Sequence, residues 1–386
     1  MDAAARLRKP LERTIADGHP WIFRDAFADL RAAPGTVVTV VDRSDRFVAR
    51  GIADGGPIGV RVWTTRDEPL DDDLLGRRIA GAAAMRVGIV PPETDAYRLI
   101  HGEGDRMPGV VCDVYGAVAV LALDGEGAIA WQGRFVQATT STLRALGIET
   151  LLVRMGRRGA RVVETAWGTA PEVAVRVREH GRTLVADPVR GQKTGLFLDH
   201  RESRRRVFEI ARGRRVLDLY AYTGGFSAAA GLGGAAHVTT VDSAPVAIDL
   251  ARETWQANGL DPAKQEAATC DVPEWLAGAR GTYDLVIADP PSFAPSEKAV
   301  PRALASYRAL HEGVLRKLAA GGLYLAASCS SHVGWDAWSA ALQSGARQAG
   351  RTVQLLERWG APADHPRLLA FPEGDYLDVA LMRVVE

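Results

Sequence analysis

The chain has 386 residues, of which 47% are hydrophobic and 24% charged, with 47 basic and 47 acidic side chains. This composition excludes a disordered or fibrous protein, and the length predicts two or three folded domains. No apolar window approaches the roughly 18 residues of a membrane span and no signal core follows the basic N-terminus, so we expect a cytoplasmic protein without a membrane partner.

Three parts follow one another along the chain. Residues 1–75 hold short strands separated by turns, which predict a small β-barrel. A connecting helix over 71–90, which begins at three aspartates and ends before two prolines, leads into a mixed α/β domain over 76–185. Residues 186–386 alternate apolar strands with helix-length segments, and this pattern predicts a doubly wound α/β domain with a parallel sheet.

The first strand of the last domain runs directly into a pair of glycines. In "VLDLYAYTGGFS" (216–227), an apolar run ends at Gly224 and Gly225, as at the strand-to-helix corner of a nucleotide-binding unit. The G-x-G-x-x-G spacing that holds a pyrophosphate is absent, which argues against a nicotinamide oxidoreductase. The corner therefore predicts a nucleotide-like ligand without phosphates.

Acidic residues end the next strands. Asp242, Asp271 and Asp289 each come after an apolar or β-like run, and Phe293 follows Asp289 across two prolines. A helix cap explains each acid alone better than a ligand does. Together they lie at the carboxyl edge of the sheet, where such folds bind ligands, and Asp242 has the spacing of an acid that meets a ribose. An adenosine cofactor that carries no phosphate, S-adenosylmethionine (SAM), fits this pattern.

Positive charge is concentrated in two segments. Residues 154–161, "RMGRRGAR", contain four arginines and no acid, and residues 190–215 contain nine Lys or Arg against three acids. Such segments either neutralise RNA phosphates or form solvated faces of a hairpin and a helix, and both interpretations remain open.

Nearly the whole chain resembles the large-subunit ribosomal RNA methyltransferase I family of class I methyltransferases, which make 5-methylcytosine in 23S rRNA. The matching segments are "GHPWIF" (18–23), "YRLIHGEGDRMPGVVCDVYG" (97–116), "GQKTGLFLDHRESR" (191–204), "YTGGFS" (222–227), "DPPSF" (289–293), "SCSSH" (328–332), "ADHP" (363–366) and "FPEGDYL" (371–377). The resemblance implies a PUA-like RNA-binding domain, a Rossmann-like methyltransferase domain, SAM as cofactor, 23S rRNA as partner and a homodimer.

The resemblance also implies cofactor-binding residues around the corner and in the segment before it. They are Gln192, Phe197, Asp199, Arg201, Asp218, Tyr222, Thr223, Gly224 and Phe226, beside Asp242, Asp271 and Asp289. Asp199 and Arg201 carry charges that suit the ammonium and carboxylate of a methionine. An ion-paired helix start explains each of these two nearly as well.

Cysteine chemistry decides which reaction the site would perform. Cys112, Cys270 and Cys329 are too few and too widely spaced for a disulfide framework or a C-x-x-C metal site, and a buried cysteine is usually inert. Cys329 follows the strand "GGLYLAA" and matches the family's "SCS". A thiolate there would add to carbon 6 of a cytosine and make carbon 5 nucleophilic.

Asp289 is the second residue predicted to act in catalysis. Its carboxyl group would stabilise the cytosine protonated at N3. The base that removes the proton from carbon 5 is not identified, since Asp289, a hydroxyl group or water would each serve.

Two other functions remain possible on these residues. One is a SAM-dependent methyltransferase that acts on another base or amine, for which Asp-Pro-Pro followed by an aromatic residue also serves and Cys329 is dispensable. The other is a non-catalytic RNA-binding protein, which the intact glycine corner, acids and cysteine disfavour.

Overall fold

The computed structural model describes residues 3–156 and 162–385. The chain forms two compact units, and neither is continuous in sequence. Unit 1 comprises residues 1–177, 186–198 and 363–374, and unit 2 comprises residues 178–185, 199–362 and 375–386. The predicted domain boundaries at residues 75 and 185 stay a prediction. Within the described ranges, no helix combines the length and the apolar character that a membrane span requires.

Unit 1 begins with a five-stranded sheet in the order β1-β3-β4-β5-β2. Its elements are β1 (Ala3–Arg6), α1 (Glu12–Ala16), β2 (Trp21–Phe23), β3 (Val37–Val41), β4 (Phe47–Ala53) and β5 (Ile58–Thr64). Val38 and Val40 of β3 are fully buried while the residues between and beside them are half-exposed, which is the alternation of a sheet with one covered face.

A second five-stranded sheet of unit 1, in the order β10-β9-β8-β7-β6, packs with the connecting helix. The elements are α2 (Asp72–Ile89), β6 (Ala96–His101), β7 (Val110–Tyr115), β8 (Val118–Leu123), α3 (Glu126–Ala130), α4 (Gln132–Ala145), β9 (Thr150–Met155) and β10 (Val162–Trp167). The helix predicted over 71–90 is confirmed, and the Asp71 carboxylate caps it by accepting from the backbone N–H of Leu74 at 3.0 Å. A two-stranded sheet follows, made by β11 (Val175–Glu179) and β12 (Arg182–Ala186).

Unit 2 holds a seven-stranded sheet in the order β15-β14-β13-β16-β17-β19-β18. Its elements are α5 (Arg201–Ile210), β13 (Arg215–Leu219), α6 (Gly225–Leu232), β14 (His237–Asp242), α7 (Pro245–Ala257), β15 (Gln265–Thr269), α8 (Val272–Gly278), β16 (Tyr283–Ala288), α9 (Val300–Lys317), β17 (Leu318–Ser328), α10 (Trp335–Gln348), β18 (Val353–Trp359) and β19 (Asp378–Val384). The strand order reverses beside β13, and such a switch point is where doubly wound sheets bind ligands.

The central strands of this sheet are buried on both faces. In β13, Val216 and Leu217 are both fully buried, but they contribute to separate hydrophobic clusters on opposite faces. This explains why β13 reads as a continuous apolar run.

The prediction of a parallel sheet is correct for β13 to β17 and wrong for β19, which is antiparallel to both of its neighbours. β19 pairs directly with β18, the strand that precedes it. An antiparallel return of this kind needs no helix to cross the face of the sheet.

Candidate functional site

The corner after β13 is held in an uncommon backbone conformation. Tyr220, Tyr222 and Gly224 have φ values of +60°, +48° and +72°. Two hydrogen bonds fix the corner to the end of β14, from Ala221 N–H to the Val241 carbonyl (3.0 Å) and from Tyr222 N–H to Asp242 Oδ2 (2.9 Å). Non-glycine residues with positive φ cost energy and concentrate at functional sites.

Both corner glycines are required by packing inside the protein. A Cβ atom on Gly224 would lie 2.7 Å from the Ala251 Cβ on α7, and one on Gly225 would lie 2.9 Å from the Arg204 Cδ on α5. We expected these glycines to leave room for a ligand, and the structure adds that they let α6 pack closely against its neighbouring helices.

Asp242 supports the corner. Its Oδ2 accepts from Tyr222 N–H and its Oδ1 accepts from Ala244 N–H, both at 2.9 Å. Each carboxylate oxygen can accept a second hydrogen bond, so these contacts leave Asp242 able to meet a ribose. Its role in cofactor binding stays a prediction.

Asp218 lies in β13, just before the corner, and its role in cofactor binding stays a prediction. It has no exposed surface, and its Oδ2 accepts from Ser227 Oγ on α6 at 2.7 Å, while its Oδ1 has no hydrogen-bond partner among the described residues. Burial raises the pKa of Asp218 and the charges of Asp289 and Asp242 act in the same direction; against the hydrogen bonds of Ser227, which lower it, the resulting pKa is about 7. In this structure Asp218 supports the corner from below and does not face solvent.

This pKa predicts how stability depends on pH. The unfolded chain releases the Asp218 proton near its ordinary value of 3.8, whereas the folded protein holds it up to about pH 7. Because the folded state binds the extra proton between these values, the free energy of unfolding should fall by up to about 4 kcal/mol as the pH rises through this window.

The substitution Asp218→Asn should remove most of this pH dependence in urea unfolding measured at pH 5 and pH 8. The control is Asp249→Asn, which removes an exposed carboxylate on α7 and should behave like the wild type. A variant Asp218→Asn as pH-dependent as the wild type would exclude this role.

A cavity of about 770 Å³ opens in unit 2 beside the corner. Tyr220, Ser243, Asp271, Pro291 and Phe293 are among the residues that line it. This volume is in the range of ligand pockets, and its aromatic and proline side chains suit a planar base. Asp242, Asp289 and Cys329 are not on its lining.

Asp271 lies directly before α8, in the N-cap position. No side-chain hydrogen bond closes this helix start. The helix-cap explanation for this acid is therefore wrong, and its carboxylate is available to the cavity that it lines.

The loop after β16 meets the loop after β17 at Cys329. The Cys329 Sγ lies 3.7 Å from the carbonyl oxygen of Pro290, the residue after Asp289. Ser292 Oγ and Ser330 Oγ lie 3.2 Å apart and join the same loops. Cys112, by contrast, is completely buried in β7, and burial raises the pKa of its thiol. The structure thus brings Cys329 and the Asp289 loop together.

Tyr307 on α9 fixes the strand end that carries Cys329, and the sequence analysis missed it. Its hydroxyl group lies 2.9 Å from both Ser328 Oγ and Ser330 Oγ. Burial raises the pKa of Tyr307, and the charges of Cys329 and Asp289 act in the same direction. Nothing in the helical sequence around Tyr307 signals this contact.

His200 is the second residue that the sequence analysis missed. Its Nε2 lies 3.2 Å from Asp289 Oδ2, and its Nδ1 lies 3.3 Å from Ser203 Oγ. The His200 side chain is 2% exposed and the Asp289 side chain 16% exposed. Its ring packs edge-on against Phe226 at 5.5 Å. The signal was present, because His200 lies inside the segment 191–204 that carries the resemblance.

The other predicted cofactor residues fall in both units. Asp199 and Arg201 are buried in unit 2, where Tyr376 donates to Asp199 Oδ2 at 2.9 Å and Arg201 Nε lies 3.4 Å from Glu202. Thr223 and Phe226 are buried at the corner, and Tyr222 is half-buried there. Gln192 and Phe197 belong to unit 1. Cofactor binding by all of these residues stays a prediction.

Several arginines of the segment 190–215 pair with carboxylates of the same chain. Arg204 is buried and pairs through both ends of its guanidinium group with Glu179. Arg205 and Arg206 pair with the carboxylates of Glu209 and Glu357, among others. Arg212, Arg214 and Arg215 lie just before and at the start of β13, opposite the edge that carries the corner. Phosphate binding by this segment stays a prediction, with fewer unpaired guanidinium groups than the charge count alone suggests.

The shorter segment 154–161 is described only in part. Arg154 is 4% exposed and donates to the carbonyl oxygens of Gly191 and Pro188, both at 3.1 Å. Residues 157–161 lie outside the described ranges.

A mostly parallel sheet with a glycine corner, acids at the carboxyl ends of successive strands and a ligand-sized cavity beside the corner is typical of a SAM-dependent methyltransferase. The family model of S-adenosylmethionine-dependent methyltransferases matches residues 126–373, and that of PUA-like domains matches residues 5–65. A solved structure from Streptococcus mutans, described as a SAM-dependent methyltransferase, superposes with a TM-score of 0.88 at 23% identity over 99% of this chain and all of that one. Another with the same score is a methyltransferase in complex with SAH.

Curated relatives narrow the class. The ribosomal RNA large subunit methyltransferase of Deinococcus radiodurans is 34% identical over 98% of this chain and 97% of its own length. The ribosomal RNA large subunit methyltransferase I of Erwinia tasmaniensis is also 34% identical, over 98% of both chains. The chain belongs to the ribosomal RNA large subunit methyltransferase I family.

The described residues fit SAM as the cofactor. Tyr220, Pro291 and Phe293 line the cavity and suit an adenine ring. Asp271, whose side chain does not cap α8, can accept a hydrogen bond from the cofactor. The corner adds the backbone N–H groups at the start of α6, which Gly224 begins without a side-chain cap.

Proposed function

We propose that this enzyme transfers a methyl group from SAM to carbon 5 of a cytosine in large-subunit ribosomal RNA. The names of the relatives support the RNA substrate. The observation that carries the choice of atom is the position of Cys329, whose Sγ lies 3.7 Å from the Pro290 carbonyl and so beside the loop of Asp289.

A thiol in this position can activate carbon 5 of the cytosine for methylation. Carbon 5 of cytosine is a weak nucleophile, and a bond from Cys329 Sγ to carbon 6 moves electron density onto carbon 5. When bound, SAM supplies an electrophilic methyl group. Carbon 5 then loses its proton to a base, the sulfur–carbon bond breaks, and the Cys329 thiolate is restored. Tyr307 and the two serines beside Cys329 hold the end of β17 for this addition.

Asp289 would stabilise the cytosine at N3, while Cys329 adds to carbon 6. A carboxyl group within hydrogen-bond reach of N3 lowers the barrier to thiolate addition, because it holds the proton that N3 takes up. His200 fixes Asp289 Oδ2 from a buried position, so we assign His200 as a positioning residue for Asp289. The contacts of His200 with Ser203 and Phe226 restrict the imidazole ring in turn.

The direct test is to transfer labelled methyl groups from SAM to deproteinised 23S rRNA and to identify the modified nucleotide by mass spectrometry. We expect all the label in 5-methylcytosine. Label in a methylated amine would instead favour a methyltransferase that acts on an exocyclic amine. The observation that supports this alternative is that Pro291 and Phe293 of the Asp-Pro-Pro-Ser-Phe loop line the cavity.

The role of His200 predicts a specific pattern of defects. His200→Ala should lower kcat roughly 10- to 100-fold, because a hydrogen bond to a charged group contributes about 1.5–3 kcal/mol. The dissociation constant of SAM should stay within about twofold, and His200→Gln, which keeps a donor, should recover most of the lost kcat. His237→Ala, at the amino end of β14, is the control. A loss of SAM affinity equal to the loss of kcat would show that His200 acts on the cofactor or the fold instead.

A further inference from the structure

Four arginines of unit 1 converge from three elements far apart in the sequence. Arg66 lies in the loop after β5, Arg77 and Arg78 lie on α2, and Arg106 ends the 3₁₀ turn over residues 102–105. We refer to these four residues as the arginine cluster. Arg106 belongs to the segment 97–116, which carries the family resemblance but has no place in the methyl-transfer site.

Backbone contacts hold the cluster together. Arg78 Nη2 donates to the Trp63 carbonyl at 2.9 Å and Arg78 Nη1 to the Arg106 carbonyl at 3.4 Å. Arg106 itself adopts φ +59°, a conformation that a non-glycine residue rarely takes. The fold therefore fixes the Arg78 guanidinium group against the backbone of Arg106 and of β5, the strand that precedes Arg66.

The acids around the cluster are already occupied. Glu68 pairs with Arg77 at 2.8 Å, and Asp67 pairs with Arg50 at 3.0 Å. Asp105, which precedes Arg106 in the chain, forms a buried pair with Arg86 at 2.7 Å. Among the described residues, Arg66, Arg78 and Arg106 consequently have no carboxylate partner.

The electrostatic effect of this arrangement is visible on two of the guanidinium groups. Burial and the charge of Arg106, with smaller effects of Arg77 and Arg66, lower the pKa of Arg78 to about 10, although Glu68 acts in the opposite direction. Burial and the charge of Arg66 lower the pKa of Arg106 as well, again against an opposing effect of Glu68. The cations thus repel one another, and a bound anion would relieve that repulsion.

We propose that the arginine cluster binds phosphodiester groups of the RNA substrate. Guanidinium groups match phosphate oxygens in pairs, and three of them without carboxylates can take up more than one phosphate. The chain has no net charge, so attraction to RNA must come from local clusters, and several arginines of the segment 190–215 are paired with carboxylates. The proposal depends on the proposed function only in taking RNA as the substrate.

The test measures RNA binding against salt concentration. Arg66→Gln/Arg106→Gln removes two charges from side chains that make no ion pair among the described residues, so the fold should persist. With a labelled single-stranded RNA, affinity at low salt should fall roughly tenfold, and the slope of log K against log salt should become shallower by about 1.4, or about 0.7 for each lost phosphate contact. Binding of SAM should not change.

Arg280→Gln/Arg347→Gln is the matched control. Both of these side chains are exposed in unit 2, outside the PUA-like domain, make no ion pair among the described residues, and give the same change of charge. The control should bind RNA within about twofold of the wild type and with the same slope. An unchanged slope in Arg66→Gln/Arg106→Gln, or a change equal to the control's, would overturn the proposal. The proposal would also be overturned if inorganic phosphate stabilised the wild type while the wild type and Arg66→Gln/Arg106→Gln bound RNA equally well. That result would assign the cluster to free anions. Because binding is measured without turnover, the result stands whichever nucleotide the enzyme methylates.

Discussion

Replacing Cys329 by alanine should abolish methyl transfer to RNA, with a loss of at least about 10³-fold, and leave the affinity for SAM unchanged. Without the thiolate, carbon 5 of cytosine is not activated, and no neighbouring group replaces a covalent nucleophile. The cofactor should still bind, because Cys329 does not line the cavity that contains Tyr220, Asp271 and Phe293. Methyl transfer to 23S rRNA and calorimetric titration with SAM measure the two effects separately.

The protein offers its own control for this substitution. Cys270→Ala changes a cysteine of similar, partial exposure that lies after β15. It should keep activity within a few-fold of the wild type. If Cys329→Ala were as active as Cys270→Ala, the thiolate mechanism would be excluded and a methyltransferase for another base or amine would become the better description.

Gly224→Ala should disrupt the corner and weaken SAM binding severely. The new Cβ would lie 2.7 Å from Ala251 Cβ and 2.9 Å from Ala251 Cα, and backbone atoms of α7 cannot move aside cheaply. Overpacking of this kind costs about 1–3 kcal/mol, and a φ of +72° adds about 1–2 kcal/mol for a residue with a side chain. We expect a loss of stability of roughly 2–5 kcal/mol, visible as a lower midpoint of thermal unfolding.

Gly213→Ala separates the two contributions. Gly213 has nearly the same backbone angle, φ +71°, but a Cβ there would meet no atom within 4 Å. Its substitution should carry only the conformational cost of about 1–2 kcal/mol and leave the SAM affinity intact. Equal effects of the two substitutions would show that the contact with Ala251 is unimportant.

The sequence predicts the elements that are both regular and buried. The strands β13, β14, β16 and β17 are apolar runs because both of their faces are covered, and the glycine corner and Asp289 follow directly from where these runs end. β15, with the sequence "QEAAT", is an edge strand with partly exposed residues, so it lacks that signal. β19 enters antiparallel between β17 and β18, and no local pattern specifies its neighbours.

Long-range partners were the least predictable part of the site. His200 and Asp289 are 89 residues apart and meet only because α5 begins next to the end of β16. Tyr307 reaches the serines beside Cys329 from a helix whose pattern signals only an apolar face. Charge counts are limited for the same reason, because the number of arginines in 190–215 does not reveal that Glu179 and Glu357 pair with two of them.

The division of unit 1 among three stretches of chain affects how the protein is made. Its last stretch, residues 363–374, places Asp364 where Arg98 N–H donates to the carboxylate and Arg86 donates to the carbonyl. These partners leave the ribosome long before it, since 278 residues separate Arg86 from Asp364. At about 5–20 residues per second, the buried Arg86 waits about 14–56 s for this acceptor. Unit 1 therefore completes its buried hydrogen bonds only when translation is almost finished. A chain released early would lack the hydrogen bonds of Asp364 with Arg86 and Arg98, even if the first strands of unit 1 had formed.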